Sequence, residues 1–93
     1  MKKDKITKQK IEKYLDLTSN ALEIAKKAVV KSKQKNAKEI FLMVECYLSD
    51  AKYFEKKGDF VNSFAALNYA HGWLNAGARL KIYKVTDNKL FTV

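Results

Sequence analysis

The sequence contains no proline, only three glycines and a single cysteine, Cys46. Sandwiches and barrels need proline and glycine at their many turns, so this composition favours long helices joined by short connections. One cysteine excludes an internal disulfide and a zinc site built from cysteines. The chain has 93 residues, 47 % of them apolar, which is enough for one core, and we expect a single domain over residues 1–93.

Arginine is also scarce, because Arg79 is the only arginine among 19 basic residues. Against 10 acidic residues the formal net charge is +9, which is typical of proteins that bind nucleic acid or anionic membranes. Recognition of phosphate and guanine favours arginine, however, and lysine enrichment also accompanies thermal stability. The charge alone leaves nucleic-acid binding, solubility and thermal adaptation open.

The lysines are concentrated near the N-terminus, where residues 1–35 contain 11 lysines and four acidic residues. Lysines near the end of the first predicted helix complement its dipole. Lysines near its start oppose the dipole, so they are the candidates for contact with RNA or DNA, although no aromatic residue lies among them to stack bases. These candidates are Lys2, Lys3, Lys5, Lys8 and Lys10.

Long apolar runs are absent. The longest uncharged stretch, residues 60–78, approaches the length of a membrane span, but it contains three asparagines, a serine and a histidine that would be costly in hydrocarbon. We therefore interpret it as a helix of a soluble bundle and expect no membrane partner. The chain opens on a lysine-rich run rather than an apolar one, so we expect no secretory signal and a cytoplasmic location.

Apolar residues recur at helical spacing in three blocks, which predicts an all-α fold. Asn36 followed by Glu39 is typical of a capping box, and Gly58 followed by Asp59 is typical of one helix end and the next helix start. So short a turn makes the second and third helices antiparallel neighbours, and we predict a three-helix antiparallel bundle. The expected segments are a basic arm over residues 1–5, helices over 6–34, 37–57 and 60–83, and a short apolar tail over 84–93.

Two helix faces carry apolar residues behind the predicted core stripes. On the third helix the charged residues near the ends, Asp59, Lys81 and Lys84, mark one side as solvent-facing, yet the middle of that side is apolar. Such faces indicate either ordinary surface variation or a patch covered by another chain, most simply in an isologous homodimer. The association candidates are Ala66, Ala70, Trp73 and Gly77 on the third helix and Leu42, Cys46 and Tyr53 on the second.

The opposite side of the third helix holds a polar row formed by Asn68, His71, Asn75 and Arg79. Buried polar groups need partners, so this row is either a satisfied structural network or a small site for an anionic ligand. In the structural alternative Arg79 pairs with a carboxylate and His71 bonds to a tyrosine or a backbone carbonyl.

Catalytic constellations are missing from the sequence. There is one histidine, no Gly-rich phosphate loop and no metal-spaced cluster of ligands, so we expect no catalytic residues, no metal and no cofactor. Cys46 lies on a mostly apolar helix face, where cysteine is usually an inert small side chain.

The run Tyr69-Ala-His-Gly-Trp-Leu-Asn-Ala-Gly-Ala-Arg79, with the tail Leu90-Phe-Thr-Val93, resembles an archaeal family of small proteins called domain of unknown function 357. The likeness covers the second and third helices, about half of the chain. It implies a three-helix bundle in an archaeal cytoplasm and no established activity. It also implies aspartate in many relatives at position 75, where Asn75 would weaken any acid–base role.

These observations favour a non-catalytic bundle that works by association, as a homodimer or as an adaptor for a protein partner. A nucleic-acid accessory protein acting through the N-terminal lysines is the alternative. A small anionic ligand at the polar row is the second alternative.

Overall fold

The computed structural model describes residues 5–91, which form three helices. They are α1 (Lys8–Lys26), α2 (Gln34–Lys56) and α3 (Phe60–Arg79), with a single 3-10 turn at Lys31–Lys33 before α2. The predicted arm over residues 1–5 lies outside the described residues except for Lys5.

The helix starts and the tight turn follow from local side chains. Thr7 caps α1 by accepting a hydrogen bond from the Lys10 amide at 3.1 Å, and Asp59 caps α3 by accepting one from the Asn62 amide at 3.1 Å. Gly58 adopts a left-handed φ of 74°, which is the conformation that ends a helix and suits glycine. The short turn predicted between the second and third helices is therefore present, and it makes α2 and α3 antiparallel.

The first helix is shorter than predicted, because it ends at Lys26 rather than at residue 34. The chain after it turns to pair with the segment that follows α3. The Val30 amide donates to the Ile82 carbonyl, and the Lys84 amide donates to the Ala28 carbonyl, each at 2.9 Å. This pairing removes residues 28–30 from the helix while keeping Val29 half-buried.

The second helix begins at Gln34, upstream of the expected start at residue 37. The 3-10 turn leads directly into α2, so its first amides need no side-chain cap and Lys33 supplies none. Asn36 consequently lies inside the helix and is exposed, and the predicted capping box does not mark its start.

The third helix ends at Arg79 rather than at residue 83, because Lys81 adopts a left-handed φ of 58° and reverses the chain. The Ile82 amide then bonds back to the Gly77 carbonyl at 2.9 Å. The tail folds against the bundle, since Phe91 is buried and Leu90 is half-buried. Thr92 and Val93 lie outside the described residues.

The core lies mainly between α2 and α3, which pack most extensively, while α1 packs on both. Small residues of α3 let it approach α2 closely, and the Ser63 hydroxyl donates to the Ala51 carbonyl across this contact at 2.7 Å. The molecule is an all-α three-helix bundle, and the described residues contain one isolated β-bridge and no strand. The largest fully buried side chains are Tyr83, Ile11, Leu67, Leu74, Val44, Thr18 and Ser63.

Candidate interaction surfaces

The single histidine is held by two structural contacts. The His71 Nε2–H donates to the Leu90 carbonyl at 2.5 Å, since a carbonyl can only accept, and Nδ1 lies 3.1 Å from the Thr18 hydroxyl. His71 thereby joins α3 to α1 and to the tail. The bond to the Leu90 carbonyl agrees with the structural alternative for the polar row, in which His71 bonds to a tyrosine or a backbone carbonyl.

The four residues of the predicted polar row do not share one site. Asn68, His71 and Asn75 line a groove of about 460 Å³ between α1 and α3, next to Lys13. Arg79 lies in a different groove, at the C-terminal end of α3. Arg79 is separated from the other three along the helix axis, because it lies in the last turn of α3. Among residues 5–91 the ion pairs involve Lys26 and not Arg79, so the expected pair between Arg79 and a carboxylate is absent there.

Three of the predicted association residues on the third helix are buried inside the chain. Ala66, Ala70 and Gly77 belong to the interior and allow α3 to approach its neighbours. A Cβ atom at Gly77 would lie 2.5 Å from Cζ of Tyr83, whose ring fills that space. The prediction that these three residues form a docking face is therefore wrong, and Trp73 is the one member of that set that is exposed.

The exposed face of α3 is a different one, and it is almost uncharged. Val61, Tyr69 and Leu80 have exposed fractions of 69 %, 63 % and 69 %. No charged residue occurs between Asp59 and Arg79, and the exposed polar side chains of that stretch are Asn62 and Asn68. We call this surface the α3 stripe, and it consists of Val61, Ala65, Tyr69, Gly72, Trp73, Ala76 and Leu80.

The α3 stripe was missed because of the residues used to orient the helix. Asp59 is the cap of α3, and Lys81 and Lys84 follow its end, so none of them reports which helix face meets solvent. Arg79 is inside the helix and exposed, and it points to the same side as Val61. That single charge was the signal in the sequence that could have located the exposed face.

The predicted association residues of the second helix are exposed. Leu42 and Tyr53 have exposed fractions of 55 % and 58 %, and Cys46 is exposed between them. Charged residues such as Glu45 and Asp50 lie among them on the outer surface of α2. This surface is therefore more polar than the α3 stripe. The ring of Tyr47 on α2 stacks on Tyr69 of the stripe, with the ring centroids 5.3 Å apart.

The N-terminal lysines lie where α1 begins. Lys5, Lys8 and Lys10 are exposed, and the Lys10 ammonium lies 5.1 Å from the centre of the Phe64 ring. Lys2 and Lys3 lie outside the described residues. Acidic residues, including Glu12, share this end of the bundle. Nucleic-acid binding through these lysines stays a prediction.

A second set of cations gathers at the opposite end of the bundle. Arg79, Lys81 and Lys84 border a groove of about 510 Å³ whose floor contains Ala78 and Val85. Buried Tyr83 contributes to the same groove, and burial raises the pKa of its phenol well above the ordinary value of 10.0. The sequence analysis attributed the lysines near the end of the first helix to the helix dipole. It did not predict that they lie at the same end of the bundle as Arg79.

The described residues 5–91 contain no cluster of histidine, cysteine, aspartate and glutamate that could hold a metal ion. In the same part of the chain, none of the helices has both the length and the apolar character needed to cross a membrane.

The fold defines a small helical bundle with an exposed surface of low polarity on α3 and exposed cations at its ends. A family model described as a protein of unknown function (DUF357) matches residues 13–83, and the chain belongs to this family. The match extends across all three helices, beyond the half of the chain that carried the resemblance. The comparisons with curated proteins and with solved structures gave no match.

Proposed function

We propose that this protein is non-catalytic and acts by association, with two copies meeting through the α3 stripe. The observation that carries the proposal is the stripe itself, an exposed helix face that is uncharged up to Arg79 at its C-terminal end, in a chain of which 31 % of the residues are charged. Contiguous exposed surfaces of low polarity mark interaction sites more often than isolated apolar residues do. The use of both ring nitrogens of His71 in structural contacts also supports a non-catalytic role.

The net charge favours a second copy of this chain as the partner. Two copies with a charge of +9 repel each other across most of their surfaces, and the α3 stripe is where they can approach with the least repulsion. An acidic partner would instead select the lysine-rich ends. The absence of charge along the stripe thus fits a contact between like molecules.

The order of side chains along the stripe matches itself in the antiparallel direction. A two-fold axis level with residues 70 and 71 brings six of the seven stripe residues opposite one another, as an isologous contact requires, and places Trp73 opposite Asn68. Gly72 has open space where a Cβ would stand, so it can receive a ring from the second copy. The pairs are Tyr69 opposite Gly72, Ala65 opposite Ala76 and Val61 opposite Leu80.

The test is the mass in solution of the wild type and of two variants that add the same charge. At tens of micromolar, light scattering on a size-exclusion column should give twice the 10.7 kDa chain mass for the wild type. Gly72→Glu puts a carboxylate at the centre of the stripe and should give a monomer. Because glutamate is a better helix former than glycine, the variant should keep its fold.

Leu42→Glu is the matched control, because it adds a carboxylate to the outer surface of α2 and should leave the dimer intact. A wild-type mass of 10.7 kDa at these concentrations would refute the dimer. A dimer that Leu42→Glu dissociates and Gly72→Glu does not would place the interface on α2 instead. Fluorescence of Trp73, the single tryptophan, provides a second readout on dilution.

The cytoplasmic location and the archaeal source that the sequence suggested stay predictions.

A further inference from the structure

One end of the bundle carries nine of the chain's 19 basic residues, and all nine are exposed. They come from two segments, residues 24–38 and 79–86, neither of which contains an acidic residue. Only the Lys26 ammonium is neutralised, at 2.9 Å from Glu45 and 3.9 Å from Glu23. We call this set the basic end, and it consists of Lys26, Lys27, Lys31, Lys33, Lys35, Lys38, Arg79, Lys81 and Lys84.

The fold brings the two segments together across more than 50 residues of sequence. An antiparallel bridge joins Val29 to Tyr83, and backbone hydrogen bonds of 2.9 Å lie on both sides of it. Bridged backbones of this kind lie about 5 Å apart. Lys27 and Lys31 therefore flank the same bridge as Lys81 and Lys84, and the two segments lie at the same end of the bundle.

The groove at this end combines exposed cations with an apolar lining. Its rim is formed by the charges of Arg79, Lys81 and Lys84, and its floor is apolar, with Ala78 and Val85. A nucleotide has two matching parts. Its phosphate is anionic and pairs with cations, and its base and sugar present apolar surfaces. The concave shape suits a strand that enters it better than a flat membrane, and the further cations beyond the rim suit a polymer better than a single nucleotide.

The backbone at Lys81 is a second observation at this end of the bundle. It occupies the left-handed position after α3, with a φ of 58°, where glycine is the favoured residue. A lysine there is less stable than a glycine would be, and Arg79 already places a cation in the last turn of the helix. Strained residues are retained most often where they serve a function.

We propose that the basic end binds the phosphate backbone of single-stranded nucleic acid, with one nucleotide in the groove bordered by Arg79, Lys81 and Lys84. Each lysine that meets a phosphate releases a counterion, so binding weakens as salt rises. No exposed aromatic ring lines the groove among the described residues, so little base stacking contributes and sequence preference is weak. The site adjoins the C-terminal end of the α3 stripe, where Arg79 stands next to Leu80, whereas Lys81 and Lys84 follow the end of the helix.

The experiment measures the anisotropy of a fluorescein-labelled 20-nucleotide oligo-dT with the full chain between 50 and 200 mM NaCl. The variant Lys81→Gly should bind more weakly, and its plot of log K against log salt should be shallower by about 0.7, the value for one phosphate contact on a single strand. The same variant should melt at a higher temperature than the wild type, because glycine relieves the left-handed position. Weaker binding by a more stable protein excludes misfolding as the cause.

Lys84→Gln should also make the plot of log K against log salt shallower. Lys52→Gln and Lys56→Gln are the matched controls, because each removes a charge near the other end of α2. The proposal is overturned if the controls weaken binding as much as Lys81→Gly does. It is also overturned if only Lys8→Gln and Lys10→Gln weaken binding, which would assign the nucleic acid to the start of α1. Binding of the chain to phosphatidylserine vesicles but not to the oligonucleotide would contradict it in favour of a membrane surface.

Discussion

Tyr83 connects three parts of the molecule through one side chain. Its hydroxyl donates to the Leu74 carbonyl at 2.5 Å, and its ring stacks near Phe41, with centroids 5.7 Å apart. Phe91 of the tail packs on it at 6.2 Å. The ring reaches this position because Gly77 has no side chain, so the segment after α3 can fold back against the helix.

Gly77→Ala should destabilise the protein by about 2 kcal/mol, since an added methyl overpacks a well-filled interior. The new Cβ would stand 2.5 to 2.7 Å from ring carbons of Tyr83, which is buried and hydrogen-bonded and has little freedom to move. Gly72→Ala is the control on the same helix, because the space around it is open, and it should stabilise by up to about 1 kcal/mol. Urea unfolding measures both, and equal effects of the two substitutions would contradict this account of Gly77.

Stability should depend on Tyr83 at alkaline pH. Burial favours the neutral phenol and raises its pKa in the folded protein, whereas in the unfolded chain the phenol ionises near the ordinary value of 10.0. The contribution of Tyr83 is therefore complete below pH 10 and is lost as the pH rises above it, because the unfolded state then gives up a proton that the folded state keeps.

The test compares urea unfolding of the wild type and of Tyr83→Phe from pH 8 to pH 11. The variant should be less stable by about 1 kcal/mol at pH 8, the usual value of one hydrogen bond. The difference in the free energy of unfolding should shrink above pH 10, and subtraction removes the titration of groups that both proteins share. A difference that stays constant to pH 11 would show that the phenol ionises equally in both states.

At the level of elements, hydrophobic spacing predicted the three helices, their order and the tight turn at Gly58. It did not predict where α1 and α3 end. Val29 and Tyr83 are turned towards the core by an antiparallel bridge, so they continue the apolar pattern of a helix without being helical. A pairing between residues so far apart in sequence leaves no local signal, and Lys81 occupies a position that glycine normally marks.

The error in the helix ends led to the error in the exposed face of α3. Lys81 and Lys84 follow the end of α3 at Arg79. A helical wheel that includes them therefore assigns them to a helix face on which they do not lie. The small residues that seemed suited to a second chain, Ala66 and Ala70, instead fit against the chain's own helices. Composition still indicated the correct helix, because the uncharged stretch over residues 60–78 is where the α3 stripe lies.

At the scale of the whole molecule, charge and apolar surface occupy different regions that meet where Arg79 stands beside Leu80. The α3 stripe lies along one side, the basic end lies at one extremity, and Lys8 and Lys10 lie at the other end of α1, a helix about 28 Å long. In the sequence the lysines after α1 and the residues after α3 are unrelated, so the basic end could not be predicted without the bridge that joins them. Its charges, unlike those at the start of α1, have few acidic neighbours.

This separation predicts opposite responses to salt. Raising NaCl from 50 to 500 mM shortens the range of the repulsion between two chains of charge +9, so the dimer should dissociate less readily. Over the same range, oligo-dT binding should weaken by about 100-fold if three phosphates are neutralised. Sedimentation equilibrium and anisotropy on the same samples measure the two. A dimer that dissociates as salt rises would show that ion pairs rather than the α3 stripe hold the two copies together. Oligonucleotide binding that does not change with salt would show that the basic end does not contact the phosphates.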